Sequence, residues 1–409
     1  MSHFKYLGEK LFVENLSIAN VVKKNKTPFY LYSEKQIKEN YLNLAQSFMS
    51  VHPLICFATK ANTNLSILKI LGKLGAGADV VSGGELLKAI KAGINPNKIV
   101  FSGVGKTEDE LKLAVKKKIL LINIESESEA KLINNIGKKS NIKISVGFRL
   151  NPDVDAKTHK KISTGKSDNK FGISIKNFYS FYKNIKKFEN LKIDALSVHI
   201  GSQILSDVPY KKTLNILLKV INNLKIKLKY VDLGGGFGIS YKKKDKKINL
   251  KNYAKLVYDF KKKLNCNIIF EPGRSLVGNS GILVSKIQYI KKGEEKYFII
   301  LDAGMNDFMR PALYDARHEI IPINKLTKKL SGNIEFVGPI CESTCKFTKY
   351  KNYPKINEGD FIAITNTGAY GSSLSSNYNT RPLIAEILVS KNKFKVIRKK
   401  QDLLKLINA

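Results

Sequence analysis

From about residue 27 the chain alternates short runs of β-branched and aromatic residues with amphipathic stretches that carry lysine, and no other feature restricts the fold as much. Strands that alternate with helices build a parallel sheet, because each helix returns the chain to the same edge before the next strand begins. After an introductory Thr27-Pro-Phe-Tyr-Leu-Tyr32, eight strands are predicted: Leu54 to Ala58, Ala78 to Val81, Lys98 to Ser102, Leu120 to Ile124, Ile142 to Phe148, Ala195 to Ile200, Tyr230 to Leu233 and Ile268 to Glu271. Helical stretches separate them, among them Leu65 to Leu74, Glu85 to Ala92 and Tyr253 to Leu264. Eight such units predict an α/β fold of the (β/α)8 TIM-barrel type, with a doubly wound open sheet as the alternative.

The rhythm changes after about residue 277, where strands follow one another without long helices: Ile282 to Ile290, Tyr297 to Leu301, Ile334 to Val337, Phe361 to Thr365 and Leu383 to Val389. This predicts a second, mainly antiparallel β domain. The expected division is a barrel over 33–276, a β domain over 277–409, and an N-terminal segment, 1–32, packing with the β domain.

The net charge of +37 invites a nucleic-acid or anionic-membrane reading. The positive residues are dispersed, however, with no arginine-rich tract or aromatic-studded ribbon, so neither nucleic acid nor membrane is an expected partner. Only six of the 71 basic residues are arginines: Arg149, Arg274, Arg310, Arg317, Arg381 and Arg398. Where lysine serves for generic charge, a retained arginine marks a place that needs a planar fork for carboxylate or phosphate. Cys56, Cys266, Cys341 and Cys345 form no Cys-x-x-Cys pair and no Cys/His ligand spacing, so no disulfide framework and no metal site are expected. The N-terminus lacks an apolar signal core and no run reaches membrane-spanning length, which predicts a cytoplasmic protein.

In a barrel of this type chemistry belongs at the C-terminal ends of the strands. The unusual residues fall there: Thr59-Lys60-Ala-Asn62 after the first strand, Ser82-Gly-Gly-Glu85 after the second and Arg149-Leu-Asn-Pro152 at the fifth. His199-Ile-Gly-Ser-Gln203 ends the sixth, Gly234-Gly-Gly-Phe-Gly238 the seventh and Glu271-Pro-Gly-Arg274 the eighth. Glycines without side chains let a phosphate approach the backbone, although three in a row also make a tight turn. Phosphate sites of barrels recur after strands seven and eight, and no Gly-x-Gly-x-x-Gly follows the opening strand, so a compact cofactor fits better than a dinucleotide. Lys60 at the barrel mouth suits a Schiff-base lysine, His199 a ring that stacks on an aromatic cofactor, and Glu271 a carboxylate that keeps a pyridinium nitrogen protonated. Together they specify pyridoxal 5'-phosphate.

The segments Phe57-Ala-Thr-Lys-Ala-Asn62, His199 to Gln203, Gly234 to Gly238, Glu271 to Arg274, Arg310-Pro-Ala-Leu-Tyr314, Gly338-Pro-Ile-Cys-Glu-Ser343 and Gly368-Ala-Tyr-Gly371 resemble, in order, those of the diaminopimelate decarboxylase family. That family belongs to the alanine-racemase-like, fold-type III class of pyridoxal-phosphate enzymes. The resemblance implies decarboxylation of meso-2,6-diaminopimelate to L-lysine and CO2, the last step of lysine biosynthesis, by a homodimer whose active sites are shared between subunits. It implies that Lys60 carries the cofactor and His199 stacks on it. Ser202, Gly235, Gly236, Gly273 and Arg274 fall to the phosphate neighbourhood, Glu271 to the ring nitrogen and Tyr370 to cofactor and substrate. Arg274, Arg310 and Tyr314 would bind substrate carboxylates and Glu342 a substrate ammonium. Cys341, from the partner subunit, would donate a proton. The alternative within the class is a decarboxylase of ornithine, arginine or a carboxylated polyamine precursor.

One departure stands out. Where the family usually reads Cys-Glu-Ser-Gly-Asp, this chain has Cys341-Glu-Ser-Thr344-Cys345, which loses a permissive glycine and a carboxylate. Arg149, Arg317, Arg381 and Arg398 receive no role from the sequence.

Overall fold

A computed structural model describes residues 3–156, 165, 169–241, 245, 248–325 and 328–408. The chain divides into two compact units, one formed by Tyr41–Ile239 with Lys246–Ser275, the other by Met1–Asn40, Ser240–Asp245 and Leu276–Ala409.

The first unit is a closed parallel barrel of β1 (Leu54–Ala58), β2 (Gly77–Val80), β3 (Ile99–Phe101), β4 (Leu121–Ile124), β5 (Ile144–Asn151), β6 (Leu191–Val198), β7 (Tyr230–Asp232) and β8 (Asn267–Phe270). Closure is made where β8 pairs β1, with Ile269 opposite Leu54 and Phe270 opposite Ile55. The doubly wound alternative is thereby excluded. Cys56, Val100, Leu121, Ala195 and Ile269 form one buried cluster, although they come from strands all around the sheet. Only the barrel interior lets such residues meet.

The helices between the strands start where the sequence supplies caps. Asn64, Ser82, Thr107 and Ser126 each sit in extended backbone and accept a first-turn N–H with the side chain. Thr107 and Glu110 complete a reciprocal capping box. Capping the N-terminal ends in this way terminates each strand-to-helix loop at a defined residue, which gives the loop that carries Lys60 little freedom.

The second unit is built on the long strand β9 (Gly281–Lys292). It pairs antiparallel with β10 (Lys296–Leu301), with Phe361–Ile364 and with Phe29–Ser33, so the chain before the barrel supplies a strand to this sheet. Two of its pairings are parallel, Lys296–Leu301 with Lys329–Val337 and Phe29–Ser33 with Ala385–Ser390. Among the described residues, six strands of this unit were not predicted: Phe4–Leu7, Lys10–Val13, Leu16–Ser17, Ile320–Pro322, Lys346–Pro354 and Lys393–Arg398. The last two alternate exposed lysines with inward residues, which halves the apolar signal a sequence can carry. Among the described residues no helix is long and apolar enough to cross a membrane.

Candidate active site

Lys60 lies on the single turn Thr59–Ala61 that follows β1. The turn is pinned from β2 and the helix beyond it: the Thr59 hydroxyl bonds the Asp79 carbonyl at 2.9 Å and the Glu85 carboxylate at 2.5 Å. Lys60 Nζ then meets Asp79 Oδ2 at 2.9 Å. Asp79 is fully buried, so its carboxylate depends on that ammonium for compensation.

Around Lys60 opens a cavity of about 350 Å3 whose walls include Ser102, Arg149, Phe171, His199 and Glu271. Glu271 follows β8 and is 6 % exposed. Its Oε1 accepts from the Ser102 hydroxyl at 3.3 Å, Ser102 Oγ accepts from Asn123 Nδ2 at 3.1 Å, and Asn123 donates also to Asp232 Oδ2 at 3.1 Å. Burial pushes the Glu271 carboxyl well above the usual range, and the charges of Asp232 and Asp79 push it further. Burial raises the Asp232 carboxyl too, and its Oδ1 accepts the Gly234 N–H at 2.9 Å.

His199 is partly buried just after β6, and its Nδ1 accepts the Gly235 N–H at 3.1 Å. That bond puts the ring proton on Nε2. Burial lowers the imidazole well below its ordinary value, helped by the nearby cations Arg149 and Lys60. Arg149 is itself held, by Glu125 at 3.1 Å and over the Phe171 ring at 4.9 Å.

The glycine loop has a local reason as well as a chemical one. A Cβ on Gly235 would stand 2.1 Å from the Glu271 carbonyl oxygen, and one on Gly236, at φ +92°, 2.5 Å from the Gly201 carbonyl. The barrel rim is too tight there for any side chain. Arg274, 5 % exposed, donates from Nη2 to the Ser202 hydroxyl at 3.1 Å, and Gly273 precedes it in a buried turn. The barrel unit thus brings together eight of the expected residues: Lys60, His199, Ser202, Gly235, Gly236, Glu271, Gly273 and Arg274.

The other five lie in the β unit. Arg310 and Tyr314 open and close one short helix, Arg310–Tyr314. The buried Arg310 donates from Nε to His318 Nε2 at 3.2 Å, while His318 Nδ1 lies 2.8 Å from the Thr365 carbonyl. A carbonyl only accepts, so Nδ1 carries the proton and Nε2 is free to receive from Arg310. The guanidinium also sits over the Tyr241 ring, 5.5 Å from its centroid. Cys341 and Glu342 are exposed, and Tyr370 is partly exposed with φ +55°. Cys345 is buried, its Sγ accepting the Met305 N–H at 3.3 Å, so it packs as part of the loop.

Residues 34–278 match the family of pyridoxal-dependent decarboxylases over its pyridoxal binding domain. The chain belongs to the pyridoxal-dependent decarboxylase family. The diaminopimelate decarboxylase of Aquifex aeolicus is 43 % identical over 404 residues, 98 % of this chain and 95 % of that one. The crystal structure of the Helicobacter pylori diaminopimelate decarboxylase complexed with L-lysine superposes with a TM-score of 0.90 at 44 % identity, covering 96 % and 98 % of the two chains. A lysine/ornithine decarboxylase from Vibrio vulnificus, complexed with putrescine, shares the fold with a TM-score of 0.79 at 19 % identity over 91 % and 97 %.

The residues present fit the family's cofactor. One cavity holds a lysine amine, a buried carboxyl group, an imidazole and an aromatic ring, which are the partners that an aldehyde-bearing pyridine needs. Residues without a sequence-derived role enter the site too. Asp79 and Asp232 each place a charge inside an otherwise apolar strand, Gly77–Val80 and Tyr230–Asp232. A carboxylate in a strand buried on both faces is the signal that would have found them. Arg398 serves the β unit: it bonds Glu386 at 3.2 Å and the Ile384 carbonyl at 2.9 Å.

Proposed function

We propose that this chain is a diaminopimelate decarboxylase, a carboxy-lyase converting meso-2,6-diaminopimelate to L-lysine and CO2 as the last step of lysine biosynthesis. The observation that carries the reading is the single cavity in which Lys60, His199 and Glu271 meet, in a chain similar along almost its whole length to enzymes bearing that name. The relative with ornithine in its name is far more distant, at 19 % identity.

Lys60 would hold the cofactor's aldehyde carbon covalently, His199 would lie against the ring, and Glu271 would hold a proton at the ring nitrogen. Ser202, Gly235, Gly236, Gly273 and Arg274 would surround the phosphate. When bound, pyridoxal phosphate supplies an electron-withdrawing ring that accepts the electron pair left on Cα as CO2 departs. Arg274, Arg310 and Tyr314 would grip substrate carboxylate, Glu342 would take the distal ammonium, and Tyr370 would touch cofactor and substrate. Cys341 would deliver a proton to Cα. Exposure of Cys341 and Glu342 supports their service in a second copy's site, and hence a homodimer. The same reading assigns residues 33–276 to cofactor binding and the protein to the cytoplasm, where thiols such as its four free cysteines stay reduced.

Carbon dioxide release is to be assayed with diaminopimelate, ornithine, arginine and carboxylated polyamine precursors; preference for ornithine overturns the substrate assignment. The purified protein should show an absorbance band near the visible edge that disappears in Lys60→Ala. For the shared site, random mixing of Lys60→Ala and Cys341→Ala subunits should restore about a quarter of wild-type activity, since half of the dimers then carry one intact site. No recovery on mixing sinks the shared site.

A further inference from the structure

Both oxygens of the Glu342 carboxylate are already engaged within the β unit. The Tyr378 hydroxyl donates to Oε1 at 2.5 Å and the Thr344 hydroxyl to Oε2 at 3.0 Å. The loop beneath is pinned at several points. Cys345 donates its N–H to the Glu342 carbonyl at 3.0 Å and accepts the Gly338 N–H at 2.9 Å, while its Sγ takes the Met305 N–H. Thr344 Oγ also lies 3.6 Å from Met305 Sδ, a weaker acceptor than the carboxylate. Threonine occupies the position where the family pattern has glycine, so the second donor to Glu342 belongs to this chain's own departure from that pattern.

We propose that Thr344 and Tyr378 are positioning residues that hold the Glu342 carboxylate ready for the substrate's distal ammonium, with the Thr344 hydroxyl supplying a donor that glycine lacks. The inference rests on the reading of Glu342 as the ammonium ligand. An exposed glutamate has many rotamers, and a ligand must select one of them at an entropic cost. Two hydroxyl donors make that selection beforehand. Each carboxylate oxygen has two acceptor sites, so one donor on each leaves room for an ammonium. Hydrogen bonds from Tyr378 first and Thr344 second also hold the Glu342 carboxyl below its usual range, favouring the charged form that an ammonium needs.

The test compares Thr344→Val, Thr344→Ser, Tyr378→Phe and Glu342→Gln in the cofactor-loaded enzyme. Two substrates are used: diaminopimelate, and 2-aminopimelate, which keeps the reacting centre and lacks the distal amine. Loss of one hydrogen bond in Thr344→Val should raise KM for diaminopimelate by about fivefold with kcat within about twofold. KM for 2-aminopimelate should not move, and Thr344→Ser should restore the wild-type value. Tyr378→Phe should behave like Thr344→Val. If Glu342→Gln raises KM for diaminopimelate alone while Thr344→Val and Tyr378→Phe leave it unchanged, the ammonium ligand stands and the positioning proposal falls. If Glu342→Gln also leaves it unchanged, the reading of Glu342 falls and takes the proposal with it. A Thr344→Val effect of equal size on both substrates, or one that serine does not rescue, marks a merely structural threonine and overturns the proposal.

Discussion

Asp79, fully buried on β2, holds the Lys60 ammonium at 2.9 Å. The pairing ties the amine on the turn after β1 to the neighbouring strand and fixes where that amine stands. It also creates a dependence, because a carboxylate in the barrel wall has no water to fall back on.

Lys60→Ala should therefore destabilise the protein as well as inactivate it. Because more than a third of the lysine side chain is exposed, solvent offsets part of the loss, and about 1–3 kcal/mol is expected rather than the full value of a buried pair. Adding Asp79→Asn should return most of that stability without activity. A thermal-melt cycle over the two single variants and the double reads the coupling; additive losses would show that the pair contributes nothing.

Glu271→Gln should raise stability and abolish function. The folded Glu271 carboxyl sits well above its ordinary value, so the folded state binds the extra proton more tightly than the unfolded chain. Its favourable contribution is complete below the unfolded value, near pH 4, and disappears as pH rises through the folded one. The amide mimics the protonated form at every pH. The cofactor-free variant should exceed wild type by about 1–2 kcal/mol at pH 8, with the gap closing toward pH 4. Urea unfolding at the two pH values gives the sign directly, and a gap that widens on acidification contradicts the assignment.

His199 has its imidazole value depressed, so the neutral ring is the folded form across neutral pH. A depressed base stabilises the fold above its unfolded value, near pH 6.5, and that contribution is lost as pH falls through the folded value. Its ring resonances should stay flat between pH 8 and about 6 in a nitrogen-edited NMR titration, with the proton on Nε2. Arg149→Met removes the leading cationic cause and should move the midpoint upward.

Two glycine-to-alanine exchanges should part company. At Gly235 the added methyl meets backbone at 2.1 Å, and backbone cannot yield without displacing Glu271 itself. A loss of about 3 kcal/mol or more, with loss of cofactor retention, is expected. At Gly84, inside the helix Gly83–Lys91, the nearest atom is the Ser82 hydroxyl at 3.8 Å. Alanine there should be neutral or stabilising by up to about 1 kcal/mol. Calorimetric melts of both variants provide the comparison.

Much of the barrel was legible in the sequence. Runs such as Leu54 to Ala58 match their strand end for end, and the others shift by a few residues because pairing with neighbours, which composition does not encode, decides where a strand stops. In the β unit, Lys346–Pro354 escaped notice because one face is solvated and lysine-rich.

The candidate site was legible in the sequence itself, in Lys60, His199, Gly234 to Gly236, Glu271 and Arg274, because these residues fall one after another at strand ends, where a barrel places its chemistry. Their partners were decided only in three dimensions. Asp79 beside Lys60, Asp232 beside Glu271, the Gly235 N–H on His199, and Thr344 with Tyr378 on Glu342 join residues brought together by strand pairing and loop closure. A chain sequence states which donors and acceptors exist; which of them share a proton depends on distances and burial that only the closed barrel and the folded sheet impose.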